Sequence, residues 1–275
     1  MRFAEPVTTP WKAQLDLQFA SVEGKTLLAG KRAEGPLAVQ KALYPEGDEV
    51  CHAIIVHPPG GIVGGDELLL RARAEIGSSA LLTTPGAGKW YRSAGPSASQ
   101  LLEFDVEGAL EWLPRETIVF NGARATLGCE VRLGKSARYI GWEILCLGRT
   151  RSGEKFESGS LRLETVVTRE GRQLLLERGQ INAGGRILHS PAGLGGRTVF
   201  GTMLAASPSF DAALLPALRQ EMPGCIVATL LPGLLVIRYL GDSTEQAFAA
   251  FSGIWHRLRP AVLSRRAIEP RLWRT

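Results

Sequence analysis

The chain predicts a mainly β fold with two helices near the C-terminus, and three observations carry that prediction. Apolar residues alternate with period two through the first three quarters, glycine and proline punctuate the alternating runs, and helical spacing begins only after residue 208. Residues 67–75 place Leu68, Leu70, Ala72 and Ala74 on one face and Leu69, Arg71, Arg73 and Glu75 on the other. Residues 100–107 repeat the pattern, with Leu102, Phe104 and Val106 opposite Leu101, Glu103 and Asp105. Further runs of strand character cover 51–57, 79–84, 116–120, 125–132, 138–147, 161–168 and 173–178. The first helix is expected over 209–222, where Leu214, Leu215 and Leu218 share a face before Pro223 and Gly224 stop it. Residues 225–231 and 234–240 flank Pro232 and Gly233 as a strand pair. The second helix starts at Ser243-Thr244-Glu245-Gln246, a capping sequence, and presents Phe248, Phe251, Ile254, Trp255 and Leu258. Periodicity alone does not separate a β-helix from a sandwich.

At 275 residues, 45% hydrophobic and mean hydropathy +0.03, the chain has material for a substantial core. With no linker, low-complexity tract or internal repeat, it reads as a single domain over 1–275. The net charge of +5 is spread along the sequence, apart from a terminal concentration at Arg257, Arg259, Arg265, Arg266, Arg271 and Arg274. Aromatics are not interleaved with these residues on a recognisable module, which argues against nucleic acid as a partner. The basic ending is either a solvated tail or a surface for an acidic protein. The four cysteines, Cys51, Cys129, Cys146 and Cys225, lack C-x-x-C spacing and read as reduced core residues. The longest apolar stretch, 225–237, is interrupted by Pro232-Gly233 and falls short of the ~20 residues of a membrane span. A soluble, cytoplasmic protein is expected.

Segment 57–66, His-Pro-Pro-Gly-Gly-Ile-Val-Gly-Gly-Asp, combines four glycines and two prolines and ends on a carboxylate. Glycine admits positive φ and close backbone approach while proline fixes φ, so this loop sets the direction of Asp66. The plain reading is a tight connection in which Asp66 bonds its own turn. A second glycine-rich turn, Thr83 to Lys89, resembles a phosphate loop only superficially, since a P-loop needs glycine at 83 and serine or threonine at 90, where Thr83 and Trp90 stand. His52, His57, His189 and His256 form no zinc framework, and Cys51 and His52, adjacent on a strand, point to opposite faces. Asp66, Glu67, Glu111, Glu116, Glu143 and Glu177 remain, several in apolar stretches where a carboxylate needs a partner such as Arg149 or Arg178.

These loops are followed by Trp90-Tyr91-Arg92-Ser93, Leu110-Glu111-Trp112-Leu113-Pro114-Arg115-Glu116, Trp142-Glu143-Ile144, Leu147-Gly148-Arg149, Ser152-Gly153-Glu154, Glu177-Arg178 and Pro270-Arg271-Leu272-Trp273. In this order and spacing, over residues 10 to 275, the chain resembles the urease accessory protein UreD family, called UreH in some systems. The resemblance implies a strand-rich, β-helix-like architecture. It also implies a non-catalytic role in urease maturation: binding the urease apoprotein and UreF, and UreG through UreF, with transient Ni2+ passing through an internal route and no cofactor permanently bound. Carried onto this sequence, the route falls first on Asp66, Glu67 and Glu177 and then on Glu143. Two other readings are an inert adaptor without metal transit and an enzyme binding a phosphate or acyl group at the glycine-rich loops. Trp90 to Arg92 and the Pro270 to Trp273 ending are each expected either in the core or at a partner interface.

Overall fold

The computed structural model describes residues 10–274 apart from Ala212 and Pro223. Residues 1–9 and Thr275, which the expected domain includes, and Ala212 and Pro223, in the expected first helix and its stop, lie outside the described residues. In chain order the strands are β1 (Lys12–Val22), β2 (Lys25–Glu34), β3 (Ala38–Leu43), β4 (Cys51–Val56), β5 (Glu67–Ala74), β6 (Ser79–Thr83), β7 (Gly88–Trp90), β8 (Ala98–Val106) and β9 (Ala109–Trp112). There follow β10 (Thr117–Val119), β11 (Arg124–Leu133), β12 (Arg138–Leu147), β13 (Ser160–Arg169), β14 (Arg172–Asn182) and β15 (Val199–Ala206). Helix α1 (Leu214–Glu221), β16 (Ile226–Leu231), β17 (Leu234–Gly241) and helix α2 (Thr244–Leu263) complete the order.

From β4 to β13 the main strands alternate between two sheets, and like strands stack in parallel. The first sheet runs β14-β13-β11-β8-β5-β1-β2 and the second β16-β17-β15-β12-β9-β6-β4-β3. Pairings β5·β8, β8·β11 and β11·β13 are parallel, as are β4·β6, β6·β9 and β9·β12. The coil is thus β-helix-like, with antiparallel strands at both ends, and the expected mainly β fold with two α-helices near the C-terminus is what the described residues form.

The two sheets differ in sequence because they differ in environment. The first has one face in solvent and one in the core, so β5 and β8 alternate: Leu68, Leu70, Leu102 and Phe104 are buried while Glu67 and Arg71 are exposed. The second is covered on both faces at its centre, where β6 and β12 are accordingly near-continuous apolar runs. Tyr139, Leu145 and Leu147 of β12 face the first sheet, while Ile140, Trp142, Ile144 and Cys146 face the helices. By the same alternation Cys51 joins the intersheet core and His52 the helix side, where it bonds Glu46.

Helix α2 begins as expected, with the Ser243 hydroxyl accepting the Gln246 N–H, but continues through Pro260 to a left-handed Ser264. Its anchor corrects the expectation for the basic ending. Arg259 is fully buried, not in a solvated tail. It donates from Nη1 to Glu46 at 2.6 Å and from Nε to Glu111 at 3.0 Å, and Trp255 Nε1 adds a 2.6 Å bond to Glu111. Burial raises the Glu111 pKa, whereas bonds from His52 and Arg259 outweigh burial and lower that of Glu46. Arg265 pairs with Glu49 and Arg274 with Glu269. Trp273 packs back on the body among Trp142, Trp255 and Phe248, with Nε1 donating to Thr83 at 3.1 Å. Cys225 is exposed, contrary to its expected place in the core, because it lies in the turn before β16.

Candidate functional site

The two glycine-rich loops converge on the mouth of a cavity of about 300 Å³. His57, Gly61, Gly86, Lys89, Arg115 and Thr117 line it near the loops, and Ile55, Leu70, Leu102 and Trp112 supply apolar wall. Gly61 is required by contact, since a Cβ there would sit 1.9 Å from the Tyr91 ring. Trp90 is buried beneath this turn, Tyr91 meets Phe120 edge-on, and Arg92 is exposed. No helix follows Lys89: Gly88–Trp90 is a strand, so the loop lacks the helix N-terminus of a phosphate cradle. Arg115 stacks on Phe248 at 4.1 Å and pairs with Glu116 at 3.8 Å.

Asp66 holds the first loop. Its Oδ2 accepts the Val63 N–H at 2.9 Å and its Oδ1 the Trp11 N–H at 3.0 Å, so the carboxylate bonds its own turn and ties it to the start of β1. Gly65 precedes it at φ +97°, a conformation that glycine adopts at little cost. Asp66→Asn is expected to lower stability by about 1–3 kcal/mol in urea unfolding, because an amide NH2 would face one of the two backbone donors.

A second cavity, about 170 Å³, adjoins the first, and Leu102, Trp112 and Glu143 line both. Strand register explains its polar lining. On the second sheet Glu143 of β12 is opposite Thr202 of β15, which is opposite Arg238 of β17. On the first sheet Leu102, Cys129, Thr165 and Glu177 form one row across β8, β11, β13 and β14. The second cavity lies between these rows, running from Glu143 to Glu177 and Arg238 at the sheet edge. Arg238 Nη2 is 2.8 Å from Glu177 Oε1.

Burial pushes the Glu143 carboxyl up to about 7. Protein surrounds this side chain, yet the cavities leave space against it, so the residue is only half-buried by surface area. Burial also raises the Cys129 thiol and the Tyr139 phenol, with Glu143 adding to both. His57 shifts the other way: burial lowers it against the pull of Asp66, and its buried Nε2 has no hydrogen-bond partner among the described residues.

Of the four acids expected on a metal route, Glu143 and Glu177 line these cavities. Asp66 stands behind the mouth, its oxygens engaged with backbone donors. Glu67 is on the solvent face of β5, paired with Lys12 at 3.3 Å. The partner of Glu177 is Arg238, while Arg178 pairs outside with Glu164 and Arg149 with Glu154. Sequence reading missed Arg238 and Thr202. It placed Glu143 second among the acids, and β12 is apolar on both faces, so only the stacked sheets show that this acid shares the inner face with Tyr139 and Leu145.

The profile of the family described as UreD urease accessory protein matches residues 12–274. The chain belongs to that family. A urease accessory protein UreD of Dechloromonas aromatica (strain RCB) is 50% identical, covering 99% of this chain and 98% of the relative. One from Azoarcus sp. (strain BH72) is also 50% identical, over 96% and 94%. A third, from Janthinobacterium sp. (strain Marseille), is 47% identical over 96% and 92%. UreD membership gives the chain an accessory role in urease maturation. None of its described helices is long and apolar enough to cross a membrane.

Proposed function

We propose that this UreD-family chain is a non-catalytic scaffold and conduit: it binds apo-urease and UreF, and UreG through UreF, and passes Ni2+ through the two joined cavities. The observation that carries the reading is Glu143 on the wall common to both cavities. An ion entering between the glycine-rich loops would meet His57, then Glu143, then Glu177. Nickel is cargo in this scheme, held only in transit. Conduction needs sites that attract and release, and sparse oxygen donors with one imidazole hold a divalent ion less firmly than a cage of imidazoles and thiolates. Among the described residues no three His, Cys, Asp or Glu side chains gather into a metal site, which fits spaced way-stations better than storage. Asp66 serves by holding the mouth, and Glu67 lies outside the passage.

The test is nickel transfer in a purified complex of this chain with apo-urease and the other accessory proteins, with an impermeant chelator in bulk solvent. Nickel in urease, measured by elemental analysis, is expected to persist with the chelator present. Loading abolished by the chelator would favour an inert adaptor that bridges proteins and carries no metal.

A further inference from the structure

Resting on the passage reading, we propose that Arg238 is a resident counter-cation that closes the sheet-edge end of the second cavity by occupying Glu177. A passing ion must displace it. Glu177 belongs to β14, the edge strand of the first sheet, and Arg238 to β17 of the second, so their ion pair spans from sheet to sheet. Their side chains are 40% and 37% exposed, which places the pair where the cavity meets solvent. Arg238 Nη1 also donates to Thr202 Oγ1 at 2.6 Å, holding the guanidinium across the opening.

A carboxylate neutralised by a guanidinium attracts an arriving cation weakly, and the guanidinium repels it. Displacement therefore sets a threshold. Alkali ions bind a single carboxylate weakly, and Mg2+ gives up its water reluctantly. Late first-row divalent ions bind more strongly, as the order of their complex stabilities requires. Arg238 thus acts as a specificity-determining residue, favouring ions that compete well for Glu177, with the Thr165 and Thr202 hydroxyls alongside.

The test compares wild type, Arg238→Met, Arg238→Lys and Glu143→Gln in the assembled complex, at sub-saturating nickel with chelator in bulk. Arg238→Met should load nickel about two- to fivefold faster, the equivalent of losing a half-exposed ion pair. It should also become sensitive to excess Mg2+ that wild type ignores. Arg238→Lys, which keeps the charge but not the two-pronged grip, should fall between them. If the methionine variant does not assemble, a lysine variant loading at the wild-type rate overturns the proposal. So does an Arg238→Met complex that loads no faster than wild type while Glu143→Gln is impaired; that outcome leaves the passage intact and removes its gate. A fall in melting temperature without faster loading shows a mere brace and likewise overturns it. Wild-type loading by Glu143→Gln removes the passage itself and the gate with it.

Discussion

Exchanging Glu143 for glutamine is expected to reduce nickel loading of urease about tenfold or more, a loss of the size that follows removal of groups supporting a metal. The same change should make the isolated chain more stable at pH 8. The folded carboxyl is near 7 against an ordinary 4.5, so the folded state binds this proton more tightly than the unfolded chain does. The stability contributed by the neutral acid is complete below the unfolded value and is lost as pH rises to about 7, where a charge must be held in the cavity wall. Urea unfolding of the two proteins should coincide near pH 4. Their midpoints should then separate through the window between the two pKa values, reaching roughly 2–3 kcal/mol in favour of glutamine at pH 8. Water admitted to the cavities would reduce this difference, since it solvates the charge. Because a metal ion displaces the proton, loading by wild type should also climb through the same window. Glutamine with normal loading, or with no gain in stability at pH 8, would contradict the assignment. An acid retained at a cost to stability is the signature of function over packing.

Arg259→Met carries the largest expected loss of stability, about 3–5 kcal/mol at pH 7, because it leaves Glu46 and Glu111 buried without their common partner. In a chain of this size that corresponds to a fall in melting temperature on the order of 10 °C. The loss should shrink in acid, where the abandoned carboxylates can take up protons, and in a triple variant with Glu46→Gln and Glu111→Gln. Arg178→Met is the control: its side chain is 67% exposed, and solvent screens its pair with Glu164, so its loss should hardly shift the unfolding midpoint. Equal effects of the two substitutions in urea unfolding would show that burial of the Arg259 network has been overrated. A destabilised Arg259→Met protein should still load nickel at permissive temperature, since Arg259 lies on the helix side of the second sheet, away from both cavities.

Alternation was legible wherever one face of a strand meets water, as in β5 and β8. The runs at 51–57, 79–84 and 138–147 could be recognised as strands but not assigned a face, because both of their faces are buried. Strands β1 to β3, β7, β9 and β15 went unrecognised. For β1 the signal was present, since Ala13, Leu15, Leu17 and Phe19 alternate into the core. The first helix is shorter than expected: it begins at Leu214, and Ser209, Phe210 and Asp211 are not helical. In the candidate site, the loops and Glu143 and Glu177 could be named from sequence. The polar lining of the second cavity could not, as it requires Glu143, Thr202 and Arg238, from three strands, to stand in one row of the second sheet.

The order of residues by itself determined the strand-rich class, the two late helices, the glycine-built mouth, the failure of the phosphate-loop motif and kinship with UreD. Each of these is local or cumulative along the chain, so short-range periodicity, backbone preference and ordered motifs suffice. Tertiary structure alone decided which acids face the interior, which arginine each one meets, and that Arg259 is core rather than tail. Those outcomes depend on how two sheets stack and on which partner can offset the cost of desolvating a charge, and neighbours distant in sequence set both.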